Sequence, residues 1–338
     1  MQEINMELIK DIHTSPVITR YPDTILSRHD VPYPSALTFN AGIIKHEGRY
    51  IMLFRNDYGS YEEQRLDGTN IGLAFSDDGI KWNVEPEPVL DGKWFGDTFE
   101  PGEVVRLYDP RITPMDGRFY VSFAIDTRHG VCGGFAVTDD FHNYEPLSIV
   151  VPDNRNMVLF PEKINGNFVR LERPMPVYSR GRDRFDIWLS ESPDCVYWGK
   201  SRFVLGVEDV PFANDKIGPG APPIKTDRGW LMIYHAVDLD PSRGKNGWEP
   251  YWRKRYTIGA LLLDPEQPWK VIGMMKDPLM VPEGYWEVEE GMRTNALFPC
   301  AALVEDDGTL RIYHSAGDAI LRLATAKLDD VLDLCKPV

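Results

Sequence analysis

The chain has 338 residues, of which 43% are hydrophobic and 26% charged, a composition typical of a globular protein. Its formal net charge of -15 argues against nucleic acid or an anionic membrane as the main partner, because like charges repel. The opening stretch, MQEINMELIKDIHTSP, is not apolar enough for a signal peptide, and no run of about 18 apolar residues predicts a membrane span. The four cysteines never form C-x-x-C, which favours free thiols in a reducing compartment, so we expect a cytoplasmic protein.

Five segments along the chain share one plan, in which an apolar strand, a tight turn and a second apolar strand follow one another. In chain order the turns are Glu47-Gly48, Asp116-Gly117, Asn165-Gly166, Arg228-Gly229 and Asp307-Gly308. Glycine supplies the positive φ that hairpin turns require. A further apolar strand follows each hairpin, as in residues 71–76 after the first. The last copy runs into residues 329–334, whose sequence DDVLDL predicts a short helix.

These repeats predict an all-β fold. A four-stranded unit repeated around an axis protects its sheet edges, so five copies predict a five-bladed β-propeller with a short C-terminal helix. We expect one catalytic domain over residues 1–338, with residues 1–39 as an N-terminal extension. That extension would close the last blade, widen the rim of the active site or contact another subunit. A β-sandwich built from similar hairpins is the alternative fold.

Polar residues stand where the predicted innermost strands begin and where their partners end. In a propeller these positions face one another across the axis, so we predict an active site there. The residues at the strand beginnings are Asn40, Tyr108-Asp109-Pro110-Arg111, Asn154-Arg155-Asn156, Asp215-Lys216-Ile217-Gly218 and Arg293-Thr294-Asn295. The residues at the strand ends are Arg55-Asn56-Asp57, Asp126, Arg173, His235, His314 and Asp318. The alternative for each residue is a solvated strand end or a buried ion pair.

The candidates combine two kinds of chemistry. The cations Arg155, Arg173 and Lys216, together with His235, suit a phosphate dianion, because arginine offers forked donors and lysine a point charge. Carboxylates suit sugar hydroxyls and proton transfer to a glycosidic oxygen. Asp109 is the candidate acid, a task that requires burial or a neighbouring carboxylate to raise its pKa.

Other motifs are scarce. The sequence contains no P-loop, no H-E-x-x-H and no G-x-S-x-G, and its seven histidines show no paired spacing. We therefore expect neither a metal nor a cofactor. Residues 238–257 interrupt the fourth repeat with Trp248, Tyr251, Trp252 and Tyr256. Such rings would form platforms for sugars if exposed, or else pack a loop or a subunit contact.

Several longer motifs occur in the order known from one enzyme family. They are FNAG at Phe39, YDPR at Tyr108, NRNMVLFPEKINGNF at Asn154, LERP at Leu171, KIGPGAPP at Lys216, WLMIYHAV at Trp230 and FPCAAL at Phe298. With these motifs the chain resembles glycoside hydrolase family 130, the five-bladed mannoside phosphorylases and related mannosidases. The resemblance covers roughly residues 39–318.

The resemblance implies a reaction and a role for each matching residue. The reaction is reversible inverting phosphorolysis of a β-mannoside by inorganic phosphate, which yields α-mannose 1-phosphate. Asp109 matches the general acid, whose proton reaches the leaving oxygen through the mannose 3-hydroxyl. The residues matching the phosphate site are Arg155, Asn156, Arg173, Lys216 and His235, and those matching the mannose (-1) subsite are Asn40, Arg55, Asp57 and Asp318.

Two other functions remain open at this level. An inverting β-mannosidase would use water and a second carboxylate, whereas phosphate is already an anionic nucleophile. A non-catalytic carbohydrate-binding propeller would use the same polar funnel for recognition only. Within the phosphorylases we expect β-1,4-mannooligosaccharides as substrates, with mannosyl-glucose, mannosyl-N-acetylglucosamine and β-1,2-mannobiose as alternatives. Met157, Glu162 and the insertion depart from the family pattern, and a homo-oligomer is compatible with it.

Overall fold

The structure is a computed structural model that describes residues 9, 11–100, 102–176, 185–244, 247–249 and 251–338. In these ranges no helix is both long and apolar enough to cross a membrane. Most of the regular structure is β-strand, arranged in five separate antiparallel sheets. The predicted five-bladed β-propeller is confirmed, because each sheet corresponds to one sequence repeat and strands of neighbouring sheets contact one another all around the ring.

The first two blades follow a short N-terminal strand, β1 (Thr19–Arg20). Blade 1 contains β2 (Leu37–His46), β3 (Arg49–Ser60), β4 (Arg65–Ser76), β5 (Asn83–Val84) and β6 (Leu90–Asp91). Blade 2 contains β7 (Val104–Met115), β8 (Arg118–Thr127), β9 (Gly130–Thr138) and β10 (Tyr144–Ile149).

The other three blades complete the ring. Blade 3 contains β11 (Asn154–Leu159), β12 (Phe168–Pro174), β13 (Ile187–Ser192) and β14 (Gly199–Leu205). Blade 4 contains β15 (Lys216–Pro219), β16 (Ile224–Thr226), β17 (Gly229–Leu239), β18 (Lys254–Leu263) and β19 (Val271–Met274), and blade 5 contains β20 (Leu297–Val304), β21 (Thr309–Ala316) and β22 (Ile320–Lys327). The α-helices are α1 (Tyr285–Val288) and α2 (Leu328–Leu334), the second being the predicted C-terminal helix, and 3-10 turns cover Arg28–Asp30, Gly92–Thr98 and Val207–Asp209.

The hairpin turns have the backbone that their sequences predict. At the turn of blade 1, φ is 49° at Glu47 and 80° at Gly48, and at the turn of blade 2 it is 53° at Asp116 and 78° at Gly117. In blades 1, 2 and 3 two successive positive φ values match the twist of the flanking strands, whereas in blades 4 and 5 only the turn glycine, Gly229 or Gly308, has a positive φ.

The apolar side chains pack between neighbouring blades. Trp230 of blade 4, for example, is 1% exposed and lies in one cluster with Phe160 and Leu171 of blade 3. Similar clusters join blades 4 and 5, 5 and 1, 1 and 2, and 2 and 3. Because the hydrophobic free energy is gained between the blades, the side chains at the axis are left for polar functions.

Both ends of the described chain add strands to the ring. In β1, Thr19 pairs with Thr325 of β22, which makes blade 5 four-stranded, and Leu26 forms a bridge with Leu321. The last strand, β23 (Lys336–Pro337), pairs with β19 of blade 4. Residues 1–8 and 10 of the predicted N-terminal segment lie outside the described residues.

The N-terminal segment is held by a buried ion pair, and breaking this pair should destabilise the protein. Nη1 of Arg20 donates to both carboxylate oxygens of Glu287, at 2.7 and 2.8 Å, and the Glu287 side chain is 3% exposed. Burial raises the pKa of Glu287, and Arg20 is the first of the charges that oppose this effect. Since Arg20→Met leaves a buried carboxylate unpaired, we expect the free energy of unfolding to fall by about 3–5 kcal/mol in urea titrations.

The control is Arg118→Met. Arg118 pairs with Asp139 at 2.8 Å, but the two side chains are 41% and 66% exposed. Losing such a pair should cost at most about 1 kcal/mol. Equal losses in the two variants would contradict a special role for the Arg20–Glu287 pair.

Candidate active site

A polar pocket opens at the propeller axis, and all five blades contribute to it. Of the predicted site residues, those that line it are Asn40, Arg55, Asp109, Arg155, Asn156, Arg173 and Asp318. The other three, Asp57, Lys216 and His235, are buried behind the lining, where they contact Arg55, Tyr256 and Arg173 respectively. The lining residues that were not among the predicted acid, phosphate-site or mannose-site residues are Tyr108, Trp252, Tyr256, Arg293, Ala296 and Phe298. The fold therefore brings the predicted residues together around one pocket.

β-bulges place three of the pocket residues. The pairing of the innermost strands shifts between Phe39 and Gly42 in blade 1, and at the equivalent places of blades 2 and 3. The residues at these shifts, Asn40, Asp109 and Asn156, have φ values of 48°, 56° and 57°. Asparagine and aspartate tolerate this left-handed conformation better than other side chains do. A bulge redirects a side chain locally, which accounts for the repeated polar residue at the axis.

Asp109 has a polarised carboxylate. Its Oδ1 accepts hydrogen bonds from Nδ2 of Asn40 at 2.9 Å and from Nη1 of Arg55 at 3.3 Å. The amide of Asn40 is held in turn by Ser315, whose hydroxyl donates to Asn40 Oδ1 at 2.8 Å. Because Oδ1 already accepts two hydrogen bonds, a proton carried by Asp109 would reside on Oδ2.

Asp57 supports the pocket from behind rather than lining it. Its two oxygens accept from Nε and Nη2 of Arg55, both at 2.7 Å, and its side chain is 0% exposed. The Arg55 guanidinium also stacks over the rings of Phe39 and Tyr108, at 4.3 and 4.7 Å from their centroids. Asp57 thus fixes the position of Arg55. This arrangement favours an indirect role for Asp57 over a direct contact with the substrate.

Arg155 and Arg173 form a cationic wall on blade 3. Nη1 of Arg155 donates to the Tyr108 hydroxyl at 3.0 Å, and Arg173 Nη1 lies 2.7 Å from Nε2 of His235. Among the described residues, neither arginine forms an ion pair with a carboxylate, and the Nε atoms of both are buried without a hydrogen-bond partner. Buried guanidinium groups without counter-charge are suited to an anionic ligand.

Lys216 adds a basic group beside this cationic wall, and His235 contacts the wall through Arg173. Burial, followed by the charge of Arg173, lowers the pKa of both side chains well below their ordinary values. The same causes, with Arg155 as the charged neighbour, lower the pKa of Arg173 to about 10. Since Arg173 donates to Nε2 of His235, the imidazole is neutral and carries its proton on Nδ1. A bound anion would favour the charged form of Lys216 again.

The aromatic insertion of blade 4 forms a packed column. The ring centroids of Trp252 and Tyr256 lie 5.6 Å apart in a stack, and those of Tyr256 and His235 lie 5.9 Å apart. The Arg293 guanidinium lies 5.0 Å from the centroid of the Trp252 ring. Trp252 is only 8% exposed, so most of its ring is packed within the column, and the remainder lines the pocket. Tyr251 is 87% exposed, and residues 245, 246 and 250 of the insertion lie outside the described residues.

Two of the unassigned residues had a signal in the sequence. Arg293 begins the Arg-Thr-Asn run that precedes the innermost strand of blade 5, the position that supplies site residues in the other blades. Tyr256 lies in the insertion but leads directly into a conspicuous apolar strand. Throughout the described ranges, no group of three or more His, Cys, Asp or Glu side chains is arranged to hold a metal ion.

The chain is similar to known proteins over nearly its whole length. A family model for glycoside hydrolase family 130, described as beta-1,4-mannooligosaccharide phosphorylase, matches residues 9–337. The beta-1,4-mannooligosaccharide phosphorylase of Ruminococcus albus is 33% identical over 95% of this chain and 91% of its own. The 1,2-beta-oligomannan phosphorylase of a Thermoanaerobacter species is 30% identical over 91% of this chain and 95% of its own. The solved structure of a beta-1,2-mannobiose phosphorylase from Listeria innocua with beta-1,2-mannobiose superimposes with a TM-score of 0.78 at 25% identity, covering 94% of this chain and 99% of that one.

Proposed function

The chain belongs to glycoside hydrolase family 130, and from this premise we propose that it is an inverting β-mannoside phosphorylase. It cleaves β-mannosides with inorganic phosphate and releases α-D-mannose 1-phosphate. The observation that carries this proposal is the cationic wall of Arg155, Arg173 and Lys216, which has no carboxylate partner among the described residues and shares one pocket with Asp109.

In the proposed reaction the phosphate needs only to be held and aimed. Arg155, Asn156, Arg173 and Lys216 bind it on one side of the pocket, with His235 orienting Arg173 from behind. A phosphate oxygen forms a bond to the anomeric carbon of mannose while the glycosidic C–O bond breaks on the opposite face, which inverts the configuration. Holding the two reactants in line supplies much of the rate enhancement.

The leaving sugar must receive a proton. Asp109 gives up the proton on Oδ2, which passes through the mannose 3-hydroxyl to the glycosidic oxygen. Asn40 and Arg55 stabilise the carboxylate that remains, since both already donate to Oδ1. Asp318, in the part of the pocket wall formed by blade 5, accepts a hydrogen bond from a hydroxyl of the same mannose.

Hydrolysis is the less favoured reaction. An inverting hydrolase requires a second carboxylate to activate water. Of the described residues lining the pocket, the carboxylates are Asp109 and Asp318, and Asp318 is paired with Arg293 at 3.2 Å. The wall that would hold the water carries arginines instead. A purely sugar-binding role would likewise leave this costly cluster of buried cations without a ligand.

We further propose β-1,4-mannooligosaccharides as the substrates. The description of the family model and the 33% identical relative support this linkage, while the 30% identical relative acts on a 1,2-linked mannan. A cytoplasmic location completes the proposal. It is supported by Cys132, Cys195, Cys300 and Cys335, all of which are buried and free. The expectation of a homo-oligomer stays a prediction.

The proposed function predicts a phosphate-dependent product. When the purified protein is incubated with β-1,4-mannobiose and inorganic phosphate, proton and phosphorus NMR should show α-mannose 1-phosphate and free mannose in equal amounts. Without phosphate the disaccharide should remain intact. Release of two mannose molecules at a rate independent of phosphate would establish a hydrolase instead. If only β-1,2-mannobiose or a mannosyl-glucose is cleaved, phosphorolysis stands and the proposed linkage is wrong.

A further inference from the structure

Arg293 connects the predicted mannose subsite to the insertion of blade 4. Its Nη1 donates to Oδ2 of Asp318 at 3.2 Å, while Nε and Nη2 lie 2.7 and 2.6 Å from Oε1 of Glu249. The guanidinium therefore lies between two carboxylates, one in the pocket wall and one in the insertion.

The insertion holds Arg293 in place. The Trp252 ring lies 5.0 Å below the guanidinium, and its Nε1 donates to the carbonyl of Thr294 at 2.6 Å. The backbone N–H of Trp248 donates to the carbonyl of Met292 at 3.0 Å. The insertion thus binds the residue before Arg293 and the residue after it. These contacts hold the backbone on both sides and leave the Arg293 side chain little freedom to turn away from Asp318.

The backbone also joins Arg293 to Asp318. The N–H of Arg293 donates to the carbonyl of Gly317 at 3.0 Å, and the N–H of Gly317 donates to the carbonyl of Ala296 at 3.0 Å. Gly317 and Asp318 have φ values of 60° and 50°, so the turn that presents the carboxylate is left-handed at two successive residues. A turn of this kind needs outside contacts to keep one conformation.

Four charged groups act on the Asp318 carboxylate. Burial raises its pKa, Arg293 and then Arg55 lower it, and Asp109 and Glu249 raise it. Arg55 is already committed to Asp57 and Asp109. Arg293 is consequently the cation in direct contact with Asp318, and its loss would leave Asp318 with buried surroundings and two negative neighbours.

We propose that Arg293 is a positioning residue that keeps Asp318 ionised and aimed at a mannose hydroxyl, and that Glu249 of the insertion orients Arg293. The inference rests on the proposed function, because it takes Asp318 as part of the mannose subsite. In this arrangement the insertion of blade 4 supports the catalytic pocket. A sequence change in this insertion would then affect mannose binding.

The test measures the pH profile of kcat/KM for β-1,4-mannobiose at saturating phosphate. Arg293→Met should lower kcat/KM about 100-fold at pH 7 and move the acidic limb of the profile to higher pH. The limb moves to higher pH because a carboxylate that has lost its neighbouring cation ionises only at higher pH. Arg293→Lys should restore the wild-type limb and return kcat/KM to within about 10-fold of wild type. The KM for phosphate should change less than about twofold, since its binding groups are on other blades.

Two further variants separate charge from loop integrity. Glu249→Gln, at a side chain that is 38% exposed, should lower kcat/KM about fivefold without unfolding the protein. The matched control is Arg243→Met, which removes one of the two arginines that hold Asp238 at the base of the same insertion, at 2.7 Å. It disturbs the loop without touching Asp318 and should leave the acidic limb of the pH profile in place.

A double mutant tests whether Arg293 acts through Asp318. In a protein that already carries Asp318→Asn, adding Arg293→Met should lower kcat/KM by less than about threefold.

The outcomes distinguish the inference from the function beneath it. A shifted acidic limb in Arg293→Met, with rescue by lysine, supports the inference. A wild-type limb in Arg293→Met, the same shift in Arg243→Met, or a full effect in the Asp318→Asn background overturns the inference and leaves phosphorolysis intact. If the wild-type protein shows no phosphate-dependent cleavage of any mannoside, the function fails and the inference falls with it.

Discussion

Replacing Asp109 by asparagine should lower kcat for phosphorolysis about 1,000-fold, within the range expected for the loss of a general acid. The KM for the mannoside should change only a few-fold, because the amide keeps the shape of the carboxyl group. The mutation removes the proton of Oδ2 while leaving an oxygen able to accept from Asn40 and Arg55. Initial rates of α-mannose 1-phosphate release over a range of mannobiose concentrations measure both constants.

Asparagine is the right substitution because of the backbone at this position. Asp109 has a φ of 56°, a conformation that asparagine tolerates and that strains most other residues. An alanine variant would combine the loss of the acid with strain in the bulge of β7. Unchanged thermal unfolding of Asp109→Asn would show that the lost rate belongs to the chemistry.

Asp116→Asn is the matched control. Asp116 stands at the other end of the same strand, at the hairpin turn, also with a positive φ of 53°, and its carboxylate is 66% exposed. This variant should keep kcat within about twofold of wild type. If Asp109→Asn retained more than a tenth of the wild-type kcat, another group would have to be the acid.

Replacing Lys216 by alanine should raise the KM for phosphate about 100-fold, as expected when a buried charge partner is removed from a binding site. Lys216 is 8% exposed, and in the free protein Arg173 and Lys254 act with burial to lower its pKa. An arriving dianion reverses this effect and gains the full attraction of the ammonium group. The KM for mannobiose should remain within a few-fold of wild type, since Asn40, Arg55 and Asp109 are unchanged.

Lys225→Ala is the control for this second prediction. Lys225 lies in the same blade, on β16, but its side chain is 60% exposed and pairs with Glu162 at 2.6 Å. Its removal should leave the KM for phosphate within about twofold of wild type. Full phosphate-dependent activity in Lys216→Ala would show that the phosphate site has been assigned to the wrong residues.

The sequence by itself determined the fold, because the features that specify it are local. At the turn Asn165-Gly166, φ is 52° and 82°, and such a turn sets the register of its own strands without reference to the rest of the chain. Every repeat has a glycine with positive φ at its turn. Five such units joined in series leave a propeller as the way to bury their apolar faces. Equivalent positions in a closed ring face a common axis, which predicts a site there; the motifs of the family resemblance selected ten residues at these positions, and the structure brings them together around one pocket.

Only the tertiary structure decided which of these residues face the pocket and which stand behind. Asp57 and Arg55 are two residues apart on the same strand, yet Arg55 lines the pocket and Asp57 is covered by it. His235 is enclosed by Arg173, Tyr256 and Phe298, which come from three different blades. Likewise, the aromatic rings of the insertion are equally compatible with a sugar platform and with packing in the sequence, and the structure shows Trp252 packed against both Tyr256 and Arg293. The physical reason is that exposure and charge pairing at the axis depend on contacts between blades, and such contacts leave no periodic signal in the chain.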